Sequence, residues 1–154
     1  MTIEKICTKP IGESMKVLVD TNILLDCLLQ RPNLYDSSKL VVQHCLFTVQ
    51  GYIAAHAFSD MFYVLHEREN RSLEYCRNTF IKLCQTFEIS NVDKQRIIDA
   101  SNNLKFNDFE DALQDSCALY SDVDYIITRN VDDFKNSSVP ILRPEEFINM
   151  IKER

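Results

Sequence analysis

Glycine and proline are scarce in this chain of 154 residues, which has two glycines and four prolines. Because 45% of its residues are hydrophobic, the composition fits neither a disordered nor a fibrous protein. No run approaches the roughly 18 apolar residues that a membrane span needs, and residues 1–14 are too polar for a signal peptide. We therefore expect a compact cytoplasmic protein with no membrane association.

Positive charge is also in short supply, since 17 lysines and arginines face 23 acidic residues and the net charge is −6. Nucleic-acid-binding proteins usually carry a basic surface, so this balance argues against a tight, non-specific grip on phosphates. It does not exclude nucleic acid as a substrate, because bound metal ions would offset part of the acidic excess.

The cysteines and histidines form no recognisable zinc motif. Five of the six cysteines occupy apolar positions of predicted helices, no Cys-x-x-Cys pair occurs, and nothing signals secretion. We therefore expect buried free thiols rather than disulfides. The three histidines, His44, His56 and His66, share no ligand spacing with the cysteines, and we interpret them as structural or solvated residues.

Strand-like and helix-like segments alternate along most of the chain. Residues 1–14 have no clear periodicity, so we treat them as an N-terminal extension, with Met15 as a candidate native start, and residues 15–154 as one domain. Strands are predicted at 16–19, 52–54, 86–89, 124–128 and 139–142. Helices are predicted at 23–29, 35–49, 58–67, 72–84, 94–100 and 108–120 and from 144, with Gly51 breaking the second. This alternation predicts an α/β fold, in which a mostly parallel sheet lies between two helical layers.

Acidic residues recur where such a fold would bring them together. Asp20 ends the first buried strand and precedes a helix, which places it in the crevice where open α/β sheets bind ligands. Asp108, Asp111 and Asp115 are three and four residues apart and share one helical face, although Asp108 also suits an N-cap and Asp115 a solvated position. Two carboxylates about 4 Å apart repel by roughly 4 kcal/mol at an effective dielectric of about 20, and a divalent cation is a common remedy.

Further polar candidates come from the third helix and the fourth strand. Asp60 is the only acid between residues 58 and 65 and faces either solvent or a polar pocket. Thr128 and Asn130 end the fourth strand and offer neutral oxygens at the same sheet edge as Asp20, if the two strands are neighbours. Asp133 suits either a helix cap or a place at the site.

The order of these motifs resembles the PIN-domain family of metal-dependent, VapC-like ribonucleases, in particular a subgroup with a DFEDALQ helix. The matching segments are VLVDTNILLD at 17–26, SD at 59–60, DFEDALQ at 108–114 and IITRNVDDF at 126–134. The resemblance implies that Asp20, Asp60 and Asp111 are the catalytic and metal-binding acids of a Mg²⁺ or Mn²⁺ site. It also implies that Asn22 and Thr128 support them.

This chain departs from the family pattern at two of these positions. The second acid is commonly Glu, and Asp60 is one methylene shorter. The fourth acid is commonly Asp, but Asn130 stands there and brings a neutral oxygen to the metal. Asp108 or Asp133 would have to compensate for the missing charge.

The same resemblance implies hydrolysis of RNA by the toxin of a toxin–antitoxin pair that also forms a homodimer. Because the sequence has no obvious clamp for nucleic acid, we expect single-stranded RNA, whose phosphates are exposed. Asn130 and the acidic charge favour an alternative, a catalytically weak PIN-like module that acts by binding protein or RNA. A phosphatase with an aspartyl nucleophile is a third reading. It would need a second acid where Asn22 stands and a lysine after a late strand, which is missing.

Overall fold

The computed structural model describes residues 14–154, so nearly all of the predicted extension lies outside the described residues. Its centre is a sheet of five parallel strands in the spatial order β3-β2-β1-β4-β5. These strands are β1 (Lys16–Val19), β2 (Gln50–Ala54), β3 (Glu88–Ser90), β4 (Tyr125–Ile127) and β5 (Ile141–Leu142). The first strand is therefore central, with β4 as one of its neighbours.

Helices cover both faces of this sheet: α1 (Thr21–Leu28), α2 (Tyr35–Phe47), α3 (Ala57–Phe62), α4 (Leu73–Thr86), α5 (Lys94–Asn102), α6 (Phe109–Tyr120) and α7 (Pro144–Lys152). Successive strand residues point to opposite faces. Val17 and Val19 accordingly pack with residues of α1, α2 and α7, whereas Leu18 packs with residues of α6. Because both faces of β1 are buried in apolar clusters, the predicted three-layer α/β/α fold is confirmed.

Helix starts follow the local capping signals of the sequence. The side chain of Asp93 accepts a hydrogen bond from the backbone N–H of Arg96 (3.0 Å), as predicted for the start of α5. Asp108 likewise accepts from the backbone N–H of Asp111 (3.1 Å) at the start of α6. Each carboxylate satisfies an N–H group that has no partner within the helix, which explains why both helices begin where they do.

Gly51 does not break a helix, contrary to the prediction. It lies inside β2 and is buried, and α2 has already ended at Phe47. A Cβ atom at this position would lie 2.7 Å from the Phe87 ring and 2.8 Å from Cys45 Cβ. The glycine is needed because α2 and the residue before β3 both approach the strand closely.

Most other boundaries differ from the predictions by one or two residues, and two differences change the type of element. Thr86 is the last residue of α4 rather than part of β3, and the predicted helix at 58–67 is α3 followed by a π-helical segment, Tyr63–Arg68. Over six residues, apolar spacing does not distinguish i→i+4 from i→i+5 hydrogen bonding, so the sequence pattern missed this change.

The five cysteines of the described chain are free thiols, as expected. Cys45, Cys76 and Cys117 are buried, but Cys84 is exposed on α4, where burial was wrongly expected; Cys7 lies outside the described residues. Within residues 14–154, no helix has the length and apolar character needed to cross a membrane.

Candidate active site

Asp20 lies at the carboxyl edge of the sheet beside Thr128, because β1 and β4 pair in register up to Val19 and Ile127. The Asp20 backbone N–H donates to the Ile127 carbonyl (3.0 Å), which continues the pairing by one step. The Thr128 hydroxyl then donates to Asp20 Oδ2 (2.8 Å). The two strands are therefore neighbours, as the placement of Thr128 at the same sheet edge as Asp20 requires.

The carboxylate of Asp20 is buried, with only 6% of the residue exposed. Burial raises its pKa, and hydrogen bonds from Thr128, Gln114 and the backbone of Thr21 and Asn22 oppose that rise. The Gln114 amide on α6 donates to Asp20 Oδ1 (3.2 Å). Each carboxylate oxygen therefore accepts a hydrogen bond from a neutral side chain, Oδ1 from Gln114 and Oδ2 from Thr128.

Asp111 lies one turn into α6 and shares the electrostatic environment of Asp20. Its pKa is raised to about 6, first by burial and then by the negative charges of Asp108, Asp133 and Asp20. Such an effect requires these carboxylates to be close neighbours. The structure thus places Asp20, Asp108 and Asp133 within electrostatic range of Asp111, and we call these four sequence-predicted acids the acidic patch.

Asp60 faces a polar pocket rather than bulk solvent. It is half-buried on α3, and its carboxyl group forms a hydrogen bond with that of Glu110 at the start of α6. Burial, this hydrogen bond and the charges of Asp60, Asp108 and Asp111 raise the pKa of Glu110 to about 7. Glu110 therefore connects Asp60 to the patch that contains Asp111.

His56 completes this pocket, and the sequence analysis missed both His56 and Glu110. Potential ligand atoms of His56, Asp60 and Glu110 all lie within 4.8 Å of one another. Burial lowers the pKa of His56, and the charge of Asp60 opposes that change. The spacing of four residues between His56 and Asp60 was the available signal, since it places both side chains on one helical face.

Asp115 does not belong to the site and is not solvated. Only 2% of it is exposed, and its carboxylate accepts hydrogen bonds from the Ser137 hydroxyl and from the Ser138 backbone N–H (3.0 Å). It anchors the connection from β4 to β5. Asp115 is one turn beyond Asp111, where the helix has already passed the edge of the sheet and entered the core.

The two amides predicted near the metal are exposed. Asn130 is linked to the site by its backbone N–H, which donates to Thr128 Oγ1 (3.0 Å). Asn22 contributes a backbone hydrogen bond to Asp20, and its side chain is exposed. Both residues therefore shape the Asp20 environment through the backbone.

Arg129 fixes the end of β4 from the side away from Asp20. Its Nε donates to Asp26 Oδ2 (2.9 Å), and only 1% of the Asp26 side chain is exposed. The remaining guanidinium N–H groups donate to Glu145 Oε1 (3.2 Å), the Leu34 carbonyl (3.0 Å), Ser37 Oγ (2.8 Å) and Ser38 Oγ (2.9 Å). This network holds the backbone that carries Thr128 and Asn130.

The residues present fit a divalent cation. Their donors are mainly carboxylate oxygens, which are the ligands preferred by Mg²⁺ and Mn²⁺. Asp60 Oδ2 is buried and accepts no hydrogen bond from an amide, hydroxyl or basic group of residues 14–154. A cation would satisfy that oxygen and reduce the repulsion within the acidic patch.

A parallel α/β sheet with clustered carboxylates at its carboxyl edge defines the general class of this protein. The family model described as "PIN domain" matches residues 16–132. Since this match covers most of the chain, the protein belongs to the PIN-domain family, as the resemblance had indicated.

Solved structures agree with this fold. A toxin–antitoxin complex from Klebsiella pneumoniae contains a chain with 22% identity and a TM-score of 0.63, over 83% of this chain and 97% of that one. VapBC2 from Rickettsia felis, bound to a promoter DNA fragment, has 14% identity and a TM-score of 0.65, over 84% of this chain and 98% of that one. VapBC-1 from nontypeable Haemophilus influenzae has 16% identity and a TM-score of 0.64, over 85% of this chain and 99% of that one. A comparison with curated proteins gives no match.

Proposed function

We propose that this protein is a metal-dependent ribonuclease that hydrolyses RNA phosphodiester bonds. The observation that carries the proposal is the placement of buried Asp20 within the electrostatic reach of Asp111 at the carboxyl edge of the sheet. Membership of the PIN-domain family, whose members are generally nucleases, supports it. We also propose that the protein acts in the cytoplasm, where cellular RNA is available.

Asp20, Asp60 and Asp111 are the proposed catalytic residues and would hold Mg²⁺ or Mn²⁺. When bound, the ion supplies the positive charge that lowers the pKa of a water molecule and neutralises a phosphodiester. Thr128 and Gln114 keep the Asp20 carboxylate in one orientation through their hydrogen bonds to its two oxygens. Such outer partners matter because they fix the orientation of a metal-binding carboxylate.

Neighbouring polar groups adjust the charge of this site. Asp108 and Asp133 add negative charge, and both raise the pKa of Asp111. Asn130 would bring a neutral oxygen in place of a fourth carboxylate, which reduces repulsion in the metal-free protein. We propose that these three residues and Asn22 have supporting roles, with Asn130 at the edge of the metal shell.

Single-stranded RNA is the proposed substrate. The chain has a net charge of −6, which argues against a tight electrostatic grip on the phosphates of a duplex. An unpaired strand exposes its phosphates singly to a metal-loaded acidic patch, so it needs no extended clamp.

We also propose that the protein is the toxin of a toxin–antitoxin pair and forms a homodimer. The structures from Klebsiella pneumoniae and Haemophilus influenzae are a toxin–antitoxin complex and a VapBC complex. Exposed apolar side chains on this chain would suit protein partners, among them Phe47 (85% exposed) and Leu104 (93% exposed).

The test is cleavage of a fluorescently labelled single-stranded RNA with Mg²⁺, with Mn²⁺ and with EDTA. Asp20→Asn and Asp111→Asn should each reduce the rate by about 100-fold or more, since loss of outer-shell partners alone typically costs about 10–100-fold. Asp36→Asn, on the exposed first turn of α2, is the matched control and should cleave like wild type. Cleavage that persists in both site variants would mean that the activity does not come from this site.

A catalytically weak binding module is the second candidate function, and the exposed Asn130 in place of a fourth acid favours it. The same preparations distinguish the two functions. A folded wild-type protein that retains RNA in a mobility-shift assay but cleaves none with either ion would support the module and reject the nuclease.

A further inference from the structure

We propose that His56, Asp60 and Glu110 form a mixed nitrogen–oxygen cation site that selects Co²⁺ or Zn²⁺ over Mg²⁺. This proposal deepens the proposed function, because Asp60 is shared with the proposed catalytic site. The binding of metal by these residues can nevertheless be measured without any cleavage.

The three side chains are close enough to bind one ion together. One potential ligand atom from each residue lies within 4.8 Å of the other two. An ion at about 2.0–2.2 Å from each donor keeps any two donors at most about 4.4 Å apart. Small side-chain rotations are therefore enough to bring all three into one coordination sphere.

Within the described residues, buried polar atoms of His56 and Asp60 also lack the hydrogen-bond partners that such atoms usually have. Both imidazole nitrogens of His56 and Oδ2 of Asp60 are buried, and none has an amide, hydroxyl or basic partner within residues 14–154. Buried polar groups in folded proteins nearly always have partners, because leaving them unpaired is costly. A structural histidine would be expected to donate or accept at least one hydrogen bond here. A cation between His56 and Asp60 satisfies atoms that the fold itself leaves unsatisfied.

The mixture of donors determines the class of ion. Mg²⁺ prefers oxygen ligands only and gives up its water reluctantly, whereas imidazole suits Zn²⁺ and the later first-row transition metals such as Co²⁺. Asp20 and Asp111 offer oxygen alone, so their part of the patch does not discriminate in this way. Selectivity for transition metals should therefore depend on His56.

The position of Glu110 links this pocket to the rest of the patch. Glu110 and Asp111 are consecutive residues of α6, so their side chains are directed about 100° apart around the helix. One consequently reaches Asp60 on α3, and the other lies near Asp20. An ion held by His56, Asp60 and Glu110 would thus lie beside the Asp20–Asp111 pair without replacing it.

The experiment uses Co²⁺ as a spectroscopic probe on the full chain, with Mg²⁺ binding measured by calorimetry in parallel. Wild type should bind Co²⁺ at least about 10-fold more tightly than Mg²⁺. His56→Gln should weaken Co²⁺ binding by about 10–100-fold and change the visible absorption of the bound ion, while Mg²⁺ affinity stays within about 3-fold. His66→Gln is the matched control, since His66 lies outside the pocket on the π-helical segment, and it should behave like wild type.

Two results would overturn the proposal. One is a His56→Gln protein with wild-type Co²⁺ affinity and absorption. The other is Co²⁺ binding that Asp20→Asn abolishes and His56→Gln leaves unchanged, which would place the ion with Asp20 and Asp111 alone. If His56→Gln does not fold, as judged by melting in EDTA, Glu110→Gln decides, because Glu110 is partly exposed and its amide is nearly isosteric.

Failure of the nuclease and failure of this site give different results. His56-dependent Co²⁺ binding in a wild-type protein that cleaves no RNA would remove the proposed function and leave the metal site in place. RNA cleavage with Mn²⁺ that is unaffected by His56→Gln, together with unchanged Co²⁺ binding, would support the nuclease and reject the metal site at His56.

Discussion

Metal-free protein should become less stable as the pH rises from about 4 to about 7, because acids at the site hold protons that the unfolded chain releases. Asp111 has a pKa of about 6 in the fold against 3.8 for the free group, and Glu110 about 7 against 4.5. The folded state therefore binds more protons over this range, so the free energy of unfolding falls with increasing pH. The stabilising contribution is complete below about pH 4 and lost as the pH passes through about 6 to 7. Asp20, whose pKa is also raised, acts in the same direction.

The size of this effect follows from the two shifts and from exposure. One pKa unit corresponds to about 1.4 kcal/mol. The side chains of Glu110 and Asp111 are both partly exposed, so solvent screens their charges. The free-energy change is therefore much smaller than the two pKa shifts would give for fully buried groups. We expect a combined loss of about 1–2 kcal/mol, or about 3–6 °C in Tm for a domain of this length.

Urea unfolding at several pH values in EDTA is the assay. The reference is a Glu110→Gln/Asp111→Asn double variant, whose stability should depend less steeply on pH. This comparison cancels the contribution of His56, whose lowered pKa has the opposite effect and adds stability as the pH rises through about 6.5. Millimolar Mn²⁺ should restore wild-type stability at pH 8 by binding the folded state. A wild type that gains stability relative to the double variant between pH 6 and 8 would contradict the raised pKa values of Asp111 and Glu110.

Two substitutions test the surroundings of the site. Arg129→Met should lower the free energy of unfolding by about 3–5 kcal/mol, because buried Asp26 loses one of its charged partners. The side chain of Arg31, the other partner of Asp26, is 36% exposed, so Arg31→Met should lower the free energy of unfolding by less. Equal losses for the two variants in urea titrations would contradict the assigned network. Asn130→Asp should melt no higher than wild type in EDTA and gain more from Mn²⁺, because it adds a charge beside the site. An unchanged Mn²⁺-induced shift in Tm would place Asn130 outside the metal shell.

Local features of the chain were predictable from sequence alone because they depend on neighbours within a few positions. Alternating strand-like and helix-like segments predicted the parallel α/β fold, and Asp93 and Asp108 marked the helix starts that they cap. Asp20 directly follows an apolar run and precedes a helix, so its place at the sheet edge needed only the fold class.

Tertiary structure decided which polar groups meet, because that depends on the order of the strands and on how each helix is turned about its axis. Asp115 shares a helical face with Asp111 by spacing, yet it lies in the core and binds Ser137 and Ser138. Glu110 lies next to Asp111 in the chain but reaches across to α3, where it meets Asp60 and His56. Residue spacing describes one helix at a time. The pocket between α3 and α6 joins residues 50 or more positions apart, so only packing across the sheet edge brings them together.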